Sequence, residues 1–312
     1  SCFLLPRFAP GGARNAVHIQ RLKDKLGDWS NASAEVEFQD AVAWMIGDPG
    51  RGVAAILQMV ALTRQDCAIG SASIMRQALV QALHHARHRR AFGRALVRQP
   101  LMRNVLADLA LESEAATALA LRIARAVDAS ARDPREAALA RIVTAIGKYW
   151  ICKRCPPFVN EAQECLGGAG YIEEFSLARL YRQAPLNSIW EGSGNIQCLD
   201  VLRALAREPE SVDACFAELE SVRGGHDLLD AEIASLRSAI AGTPADLEAG
   251  SRWIVERMAL ALQASALIRG GNVAIADIFC ESRLGRAHGL AFGTLPSDAP
   301  TDALIERAFP AD

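Results

Sequence analysis

Hydrophobic and polar residues alternate at the start of the chain. Val17-His18-Ile19-Gln20-Arg21-Leu22 and Ala34-Glu35-Val36-Glu37-Phe38 have the period of half-buried strands, and Cys2-Phe3-Leu4-Leu5-Pro6-Arg7 also reads as strand. Gly11-Gly12 and the run Asp28 to Asn31 supply turns, and Gly47-Asp48-Pro49-Gly50 closes the region. From Gly52 the period becomes helical. Val53, Ile56, Leu57, Val60 and Ala61 recur at i, i+3 and i+4, and the pattern continues through Ala68, Ile74 and Leu83 to about Arg89. A second helix is predicted from about Pro100 to Ala129, with Leu101, Val105, Leu109, Ala116, Leu119 and Ile123 on its apolar stripe. A third runs from about Pro134 through Ile142, Ile146 and Trp150 to Leu166, and a fourth from near Gly194 to about Ala206.

Four amphipathic helices, none able to bury its stripe alone, imply a bundle. Residues 210–285 carry three further helical segments, broken at Gly224-Gly225 and Gly242-Thr243-Pro244. The stretch from about 287 to 312 has Gly, Pro and Asp without periodicity and is expected to be loose. The predicted fold is therefore mainly α. Strands ending a β-domain fill residues 1–50, a four-helix bundle fills 51–206, and a helical extension fills 207–312.

Composition narrows the class. With 312 residues, 51% hydrophobic and 22% charged, the chain has the make-up of a soluble globular protein with length for a large core. No uncharged apolar run reaches membrane-spanning length, and no signal peptide opens the chain. Opening at Ser1 in strand-like residues, it reads as the C-terminal part of a longer protein. Eight scattered cysteines are not a small disulfide scaffold, which favours a reducing, cytoplasmic location. Charge is uneven. Residues 1–199 hold 24 Lys and Arg against 18 Asp and Glu, whereas residues 200–312 hold 10 Arg, no Lys and 18 acids. The difference, +6 against −8, makes the C-terminal half a poor partner for nucleic acid.

The densest chemistry lies in Ile189-Trp190-Glu191-Gly192-Ser193-Gly194-Asn195-Ile196-Gln197. Bulky apolar neighbours shield a carboxylate from water and make it a stronger base. The glycines admit a planar ligand close to the backbone, and the free N–H groups of a helix starting here can meet an anion. The segment suits proton abstraction beside a carbonyl. Read alone, without the neighbouring motifs, Glu191 is first an acid stabilised at a helix N-terminus.

Other runs carry the same double reading. Arg87, Arg89, Arg90, Arg94 and Arg98 form either a solvated helix end or a set of guanidinium forks for pyrophosphate. Gly167, Gly168 and Gly170 suit a helix C-cap. Cys152-Lys153-Arg154-Cys155 lies inside a helical pattern without a second ligand pair, and His84, His85 and His88 have no acid within their turn, so no metal is expected.

Four of these segments, in this order, resemble the acyl-CoA dehydrogenase family. Trp190-Glu191-Gly192-Ser193 is similar to its catalytic-base motif, and Gly167-Gly168-Ala169-Gly170-Tyr171 to its glycine turn. Arg89-Arg90-Ala91-Phe92-Gly93 with Gln99 is similar to its flavin-contact segment, and Lys25-Leu26-Gly27 through Asp40 to its last strand before the helical domain. Asp24-Lys25-Leu26-Gly27, Ser30-Asn31-Ala32-Ser33, Glu37-Phe38-Gln39-Asp40, Pro185 to Glu191 and Cys198-Leu199-Asp200 resemble the bacterial alkylation-response branch. The resemblance is strong over about residues 1–205 and weaker beyond.

The resemblance implies a bundle of that family's C-terminal type and an FAD-dependent oxidoreductase. In it Glu191 removes the α-proton of a short or branched acyl-CoA and a β-hydride passes to flavin. It implies cofactor contacts at Arg89, Phe92, Gly93, Gln99, Gly167, Gly168, Ser193 and Asn195, some of them across a subunit interface. It places Arg64 on the substrate side, and the position of the family's alternative base holds Leu62. Glu164 stands where the family commonly has Gln. A homodimer or homotetramer and an electron-transfer partner are implied. The family's flavin site also uses an N-terminal helical domain and the rest of the β-domain, so this chain holds only part of it.

The branch offers a competing role: a flavoprotein that binds and protects DNA with little dehydrogenase activity. A local face of Arg252, Arg257, Arg269, Arg283 and Arg286 would serve it despite the acidic extension. A third reading, an oligomerisation scaffold, leaves the four ordered motifs unexplained.

Overall fold

A computed structural model describes residues 1–285 and 289–310. The chain divides into two compact units, Ser1–Thr63 and Arg64–Asp312. In the first, β1 (Cys2–Leu4) pairs antiparallel with β4 (Trp44–Ile46), and β2 (Val17–Leu22) with β3 (Ala34–Phe38). Asn15, buried, stitches the unit together. Its amide donates to the Pro6 carbonyl at 2.9 Å and the Val42 carbonyl at 2.8 Å, and its oxygen accepts from Val42 N–H at 2.9 Å. Lys25 accounts for its own motif: Nζ donates to the Asp28 and Asn31 carbonyls and to Ser33 Oγ, closing the loop between β2 and β3.

The alternating strands form where predicted, but they are not half-buried. Ile19, Leu22, Val36 and Phe38 are exposed, because a two-stranded ribbon carries no layer of its own over either face. The opening turns of α1 (Gly52–His88) share this exposure at Val53, Ile56 and Leu57.

In the second unit the later turns of α1 bury Ala68, Ala72, Met75, Leu79, Ala82, Leu83 and Ala86, a helical stripe. A short hairpin, β5 (Arg90–Ala91) with β6 (Arg94–Ala95), leads into α2 (Pro100–Ala129) and α3 (Pro134–Leu166). Then follow α4 (Ser176–Gln183), α5 (Gly194–Arg207), α6 (Pro209–Glu220), α7 (Asp227–Ala239), α8 (Pro244–Arg269), α9 (Val273–Phe279) and α10 (Thr301–Ala308). Start signals explain several of these. Proline occupies the first turn of α2, α3, α6 and α8, while Asp133, Thr243 and Asn272 cap α3, α8 and α9 with their side chains.

The four predicted long helices correspond to α1, α2, α3 and α5. Helix α3 is central, packed against α2, α4, α5, α6 and α8 and burying Ile142, Ile146, Trp150 and Phe158. One stripe residue fails: Leu101 is 86% exposed at the first turn of α2. The region 210–285 is cut once more than its glycines at 224 and 242 imply, at Gly270-Gly271-Asn272, where Asn272 caps α9.

The expectation of a loose end is overturned. Helix α10 packs on α2, and Phe292, Leu295, Leu304, Ile305 and Ala308 are buried in the core. Asn104 exchanges two hydrogen bonds with the Leu295 backbone, Arg103 pairs with Asp302 at 2.6 Å, and Arg307 pairs with Glu114 at 2.8 Å. These anchors need no periodicity in the anchored segment. Residues 286–288 and 311–312, Arg286 among them, lie outside the described residues.

A buried charge network fixes the extension to α2 and α3. Asp108 and Glu112 on α2 meet Arg283, and Arg154 on α3 reaches Glu112 at 3.2 Å. Asp108 also accepts from Gly293 N–H at 2.8 Å, and Arg154 lies 4.4 Å from the centre of the Phe292 ring. Burial pushes the Glu112 carboxyl up, but Arg154 and Arg283 outweigh it and hold the group below the usual carboxylate range.

Arg283→Met takes one buried cation away from both Asp108 and Glu112 and should lower the unfolding free energy by about 3–5 kcal/mol, read by urea denaturation. A depressed folded pKa adds stability that is complete above the ordinary carboxylate value and lost as pH falls through the lower folded one. Stability of the wild type, followed by circular dichroism, should decline in that acid window.

Candidate active site

Glu191 sits in a backbone conformation that residues with a side chain rarely adopt. Its φ is +58°, and Gly192 follows at +95°, where a Cβ would lie 2.8 Å from Gln197 Nε2. Such a pair persists only where its surroundings over-determine it. Side chains from three helices do so. Lys148 of α3 donates to the Trp190 carbonyl at 2.8 Å and to the Gly192 carbonyl. Arg64 Nε of α1 donates to the Glu191 carbonyl at 3.0 Å, and Gln197 Nε2 of α5 donates to the Glu191 and Gly192 carbonyls at 3.1 and 2.9 Å. Asp200 holds Arg64 at 2.7 Å and is itself paired with Arg141 at 2.9 Å. Upstream, Asn187 receives the Trp190 indole N–H and donates to Ser71 Oγ, which explains the Pro185 to Glu191 motif as a bracing turn.

Among the described residues the Glu191 carboxylate has no hydrogen-bond or ion-pair partner, while its backbone carbonyl accepts from both Arg64 and Gln197. Glu191 is partly buried, while its apolar neighbours are themselves exposed, Ile189 63% and Trp190 36%. Arg64, read from the resemblance as substrate-side, donates to the Glu191 carbonyl and to Asp200.

Ser193 caps α5 without using its hydroxyl. Asn195 follows it, and its side-chain oxygen accepts from Arg252 Nε of α8 at 2.9 Å. Gln197 Oε1 is buried without a partner. Free first-turn N–H groups, a hydroxyl, an amide and a guanidinium are a donor set that fits a pyrophosphate.

The other candidates lie elsewhere. Phe92 and Gly93 form the tip of the β5–β6 hairpin, with φ +51° and +82°, and Phe92 is 97% exposed. Gln99 braces the hairpin, donating to the Ala91 carbonyl and accepting from Arg94 Nε, both at 2.9 Å. Arg89 is exposed at the foot of the hairpin, where its carbonyl accepts from Leu96 N–H. Gly167 ends α3 at φ +60° and Gly168 follows it, in the C-cap role read from the sequence. Among the described residues no hydrogen bond or ion pair joins the Glu191 loop, the hairpin and the glycine turn.

Lys148 and Arg252 were not singled out by motif. A lone Lys within Ile146-Gly147-Lys148-Tyr149-Trp150, on a stripe that is otherwise apolar, was the available signal for the first. Arg252 had appeared only as part of a DNA-facing arginine set. That set is broken: Arg257, Arg269 and Arg283 pair with Glu232, Glu218 and Asp108. Cys152 and Cys155 are buried, and burial pushes the Cys152 thiol up to about 12. Among the described residues no group of three or more His, Cys, Asp or Glu side chains is placed to hold a metal, and no helix is long and apolar enough to cross a membrane.

Residues 50–206 match the family described as acyl-CoA dehydrogenase, C-terminal domain. The chain belongs to the acyl-CoA dehydrogenase family. It is 46% identical over 290 residues to AidB of Escherichia coli (strain K12), covering 93% of this chain and 53% of AidB. It is 32% identical over 243 residues to acyl-CoA dehydrogenase family member 11 of Caenorhabditis elegans, covering 77% of this chain and 39% of that protein. The solved structure of Caenorhabditis elegans ACDH-11 in complex with C11-CoA superimposes with a TM-score of 0.85 at 27% identity, over 95% of this chain and 55% of the other. The chain thus spans about half the length, or less, of these relatives.

The glycine turn makes a local test. Gln163 Nε2 donates to the Gly170 carbonyl at 2.9 Å, and a Cβ on Gly170 would lie 2.3 Å from the Gln163 carbonyl oxygen, whereas one on Gly168 meets nothing within 4 Å. Gly170→Ala should cost roughly 1–3 kcal/mol and Gly168→Ala under about 0.5, compared by thermal unfolding.

Proposed function

We propose that this chain carries the catalytic-base portion of a flavin-dependent acyl-CoA dehydrogenase. Glu191 removes the α-proton of an acyl-CoA thioester, and loss of a β-hydride completes the oxidation of the CH–CH bond. The observation that carries this reading is the Glu191 loop itself. Its backbone is gripped by side chains from α1, α3 and α5, while its carboxylate is left without a partner. A base must be held still and yet be free to take a proton. Membership of the family supports the reaction class, and the C11-CoA in the complex of ACDH-11 supports the substrate class.

FAD, when bound, supplies the hydride acceptor. Ser193 and Asn195 would hold its pyrophosphate at the start of α5, with Arg252 beside them. Arg89, Phe92, Gly93, Gln99, Gly167 and Gly168 stand apart from that place, so we assign them to the cofactor of a second copy in a homodimer or homotetramer. Residues 51–206 then form the catalytic bundle and 207–312 an extension that contributes Arg252.

The test is anaerobic addition of a short, a branched and an eleven-carbon acyl-CoA to the full-length protein, followed by absorption. Oxidised flavin should bleach with at least one of them. Glu191→Gln should slow the bleaching about 10²–10⁴-fold. Bleaching at the wild-type rate in that variant would remove Glu191 from the role.

A further inference from the structure

Lys148 is among the largest fully buried side chains of the protein, 1% exposed in the middle of α3. Burying an ammonium is costly, and a methionine would fill similar space without that cost. The return is specific. Trp190 and Gly192 flank Glu191, and Lys148 holds both of their carbonyls while Arg64 and Gln197 take the carbonyl between them. Three successive carbonyls thus point to side chains, none of them to a helix or sheet ladder. An ammonium, with three donors on one atom at the end of a long stem, bridges the outer two.

We infer that Lys148 is a positioning residue for the base. It bridges the carbonyls on either side of Glu191, locks that residue in its left-handed conformation, and thereby aims the carboxylate. The role rests on the reading of Glu191 as the base.

The surroundings fit. The groups facing Lys148 are Cys152 on its own helix, Cys67 and Arg64 on α1, and Glu191 on the loop. Burial pushes both thiols up, Cys152 to about 12, so neither carries charge at neutral pH. Glu191 is the acidic residue among them, and Arg64 adds to the positive side. Burial lowers the Lys148 pKa from its ordinary value, and the paired carbonyls favour the charged form that donates to them.

The test begins on the 312-residue chain itself. Hydrogen exchange read by mass spectrometry should show peptides within 186–197 exchanging at least ~10-fold faster in Lys148→Met, with peptides of α8 unchanged. Lys148→Gln, which keeps an amide donor on a shorter side chain, should give a smaller rise, and it replaces Lys148→Met if that variant does not fold. In the full-length flavoprotein Lys148→Met should lower kcat about 10²-fold and leave KM within about 3-fold.

Wild-type exchange in the loop of the variant overturns the inference, whatever Glu191 does. Faster exchange everywhere overturns it too, because that reports packing alone. Should Glu191→Gln reduce flavin at the wild-type rate while the loop of Lys148→Met opens, the base reading fails and the bridge stands as a structural device only.

Discussion

Satisfying the carbonyls of Trp190, Glu191 and Gly192 constrains everything around them. A turn with two consecutive positive φ values cannot enter a helix or a sheet ladder, so its polar groups must find side chains or water. Here they find Lys148, Arg64 and Gln197, each on a different helix. The loop is held where α1, α3 and α5 meet, and its hydrogen bonds tie the three together. Asp200 extends the tie by holding Arg64 and Arg141 at once. Structure and candidate chemistry are in this sense one interaction: the same hydrogen bonds that close the bundle aim the carboxylate.

The extension uses charge in a comparable way. Asp108, Glu112, Arg154 and Arg283 form a network whose members would each be expensive to bury alone. Apolar residues of similar volume would be no less stable, but they would tolerate sliding. Fixed forks against carboxylates tolerate only one register of the C-terminal segment on α2. Acids from residue 200 onward also balance arginines from earlier in the chain, Asp200 with Arg64 and Arg141, Glu208 with Arg141 and Glu218 with Arg122.

Much of this was legible in the sequence, for definite reasons. The long helices followed from apolar period, prolines and caps, and α2, α3 and α5 fall where the pattern placed them. The glycine turn and the Glu191 loop were visible because glycine marks backbone that other residues cannot follow. Two things were hidden. Helix α10 is eight residues long, and its place depends on Asn104, Arg103 and Glu114, residues nearly two hundred positions away. The exposure of Leu101, Val53 and the strands was hidden as well, because period reports which face is apolar and not whether anything covers it.

Lys148 was hidden for a deeper reason. On an apolar stripe a lone lysine reads as a blemish in the pattern, and pattern arguments discount blemishes. Its meaning depends on which carbonyls stand opposite, and those belong to a loop forty-odd residues further along the chain. Motifs record the residues that touch a ligand, because those are contiguous in a turn. The groups that hold the turn are spread over helices chosen by packing. A charged residue interrupting a buried stripe is therefore a pointer to irregular backbone nearby, since regular backbone satisfies its own carbonyls and has no need of an ammonium. Arg252 lies outside that pattern: it is exposed, and at the start of α5, where Ser193 makes no side-chain cap, the Asn195 side chain accepts its guanidinium.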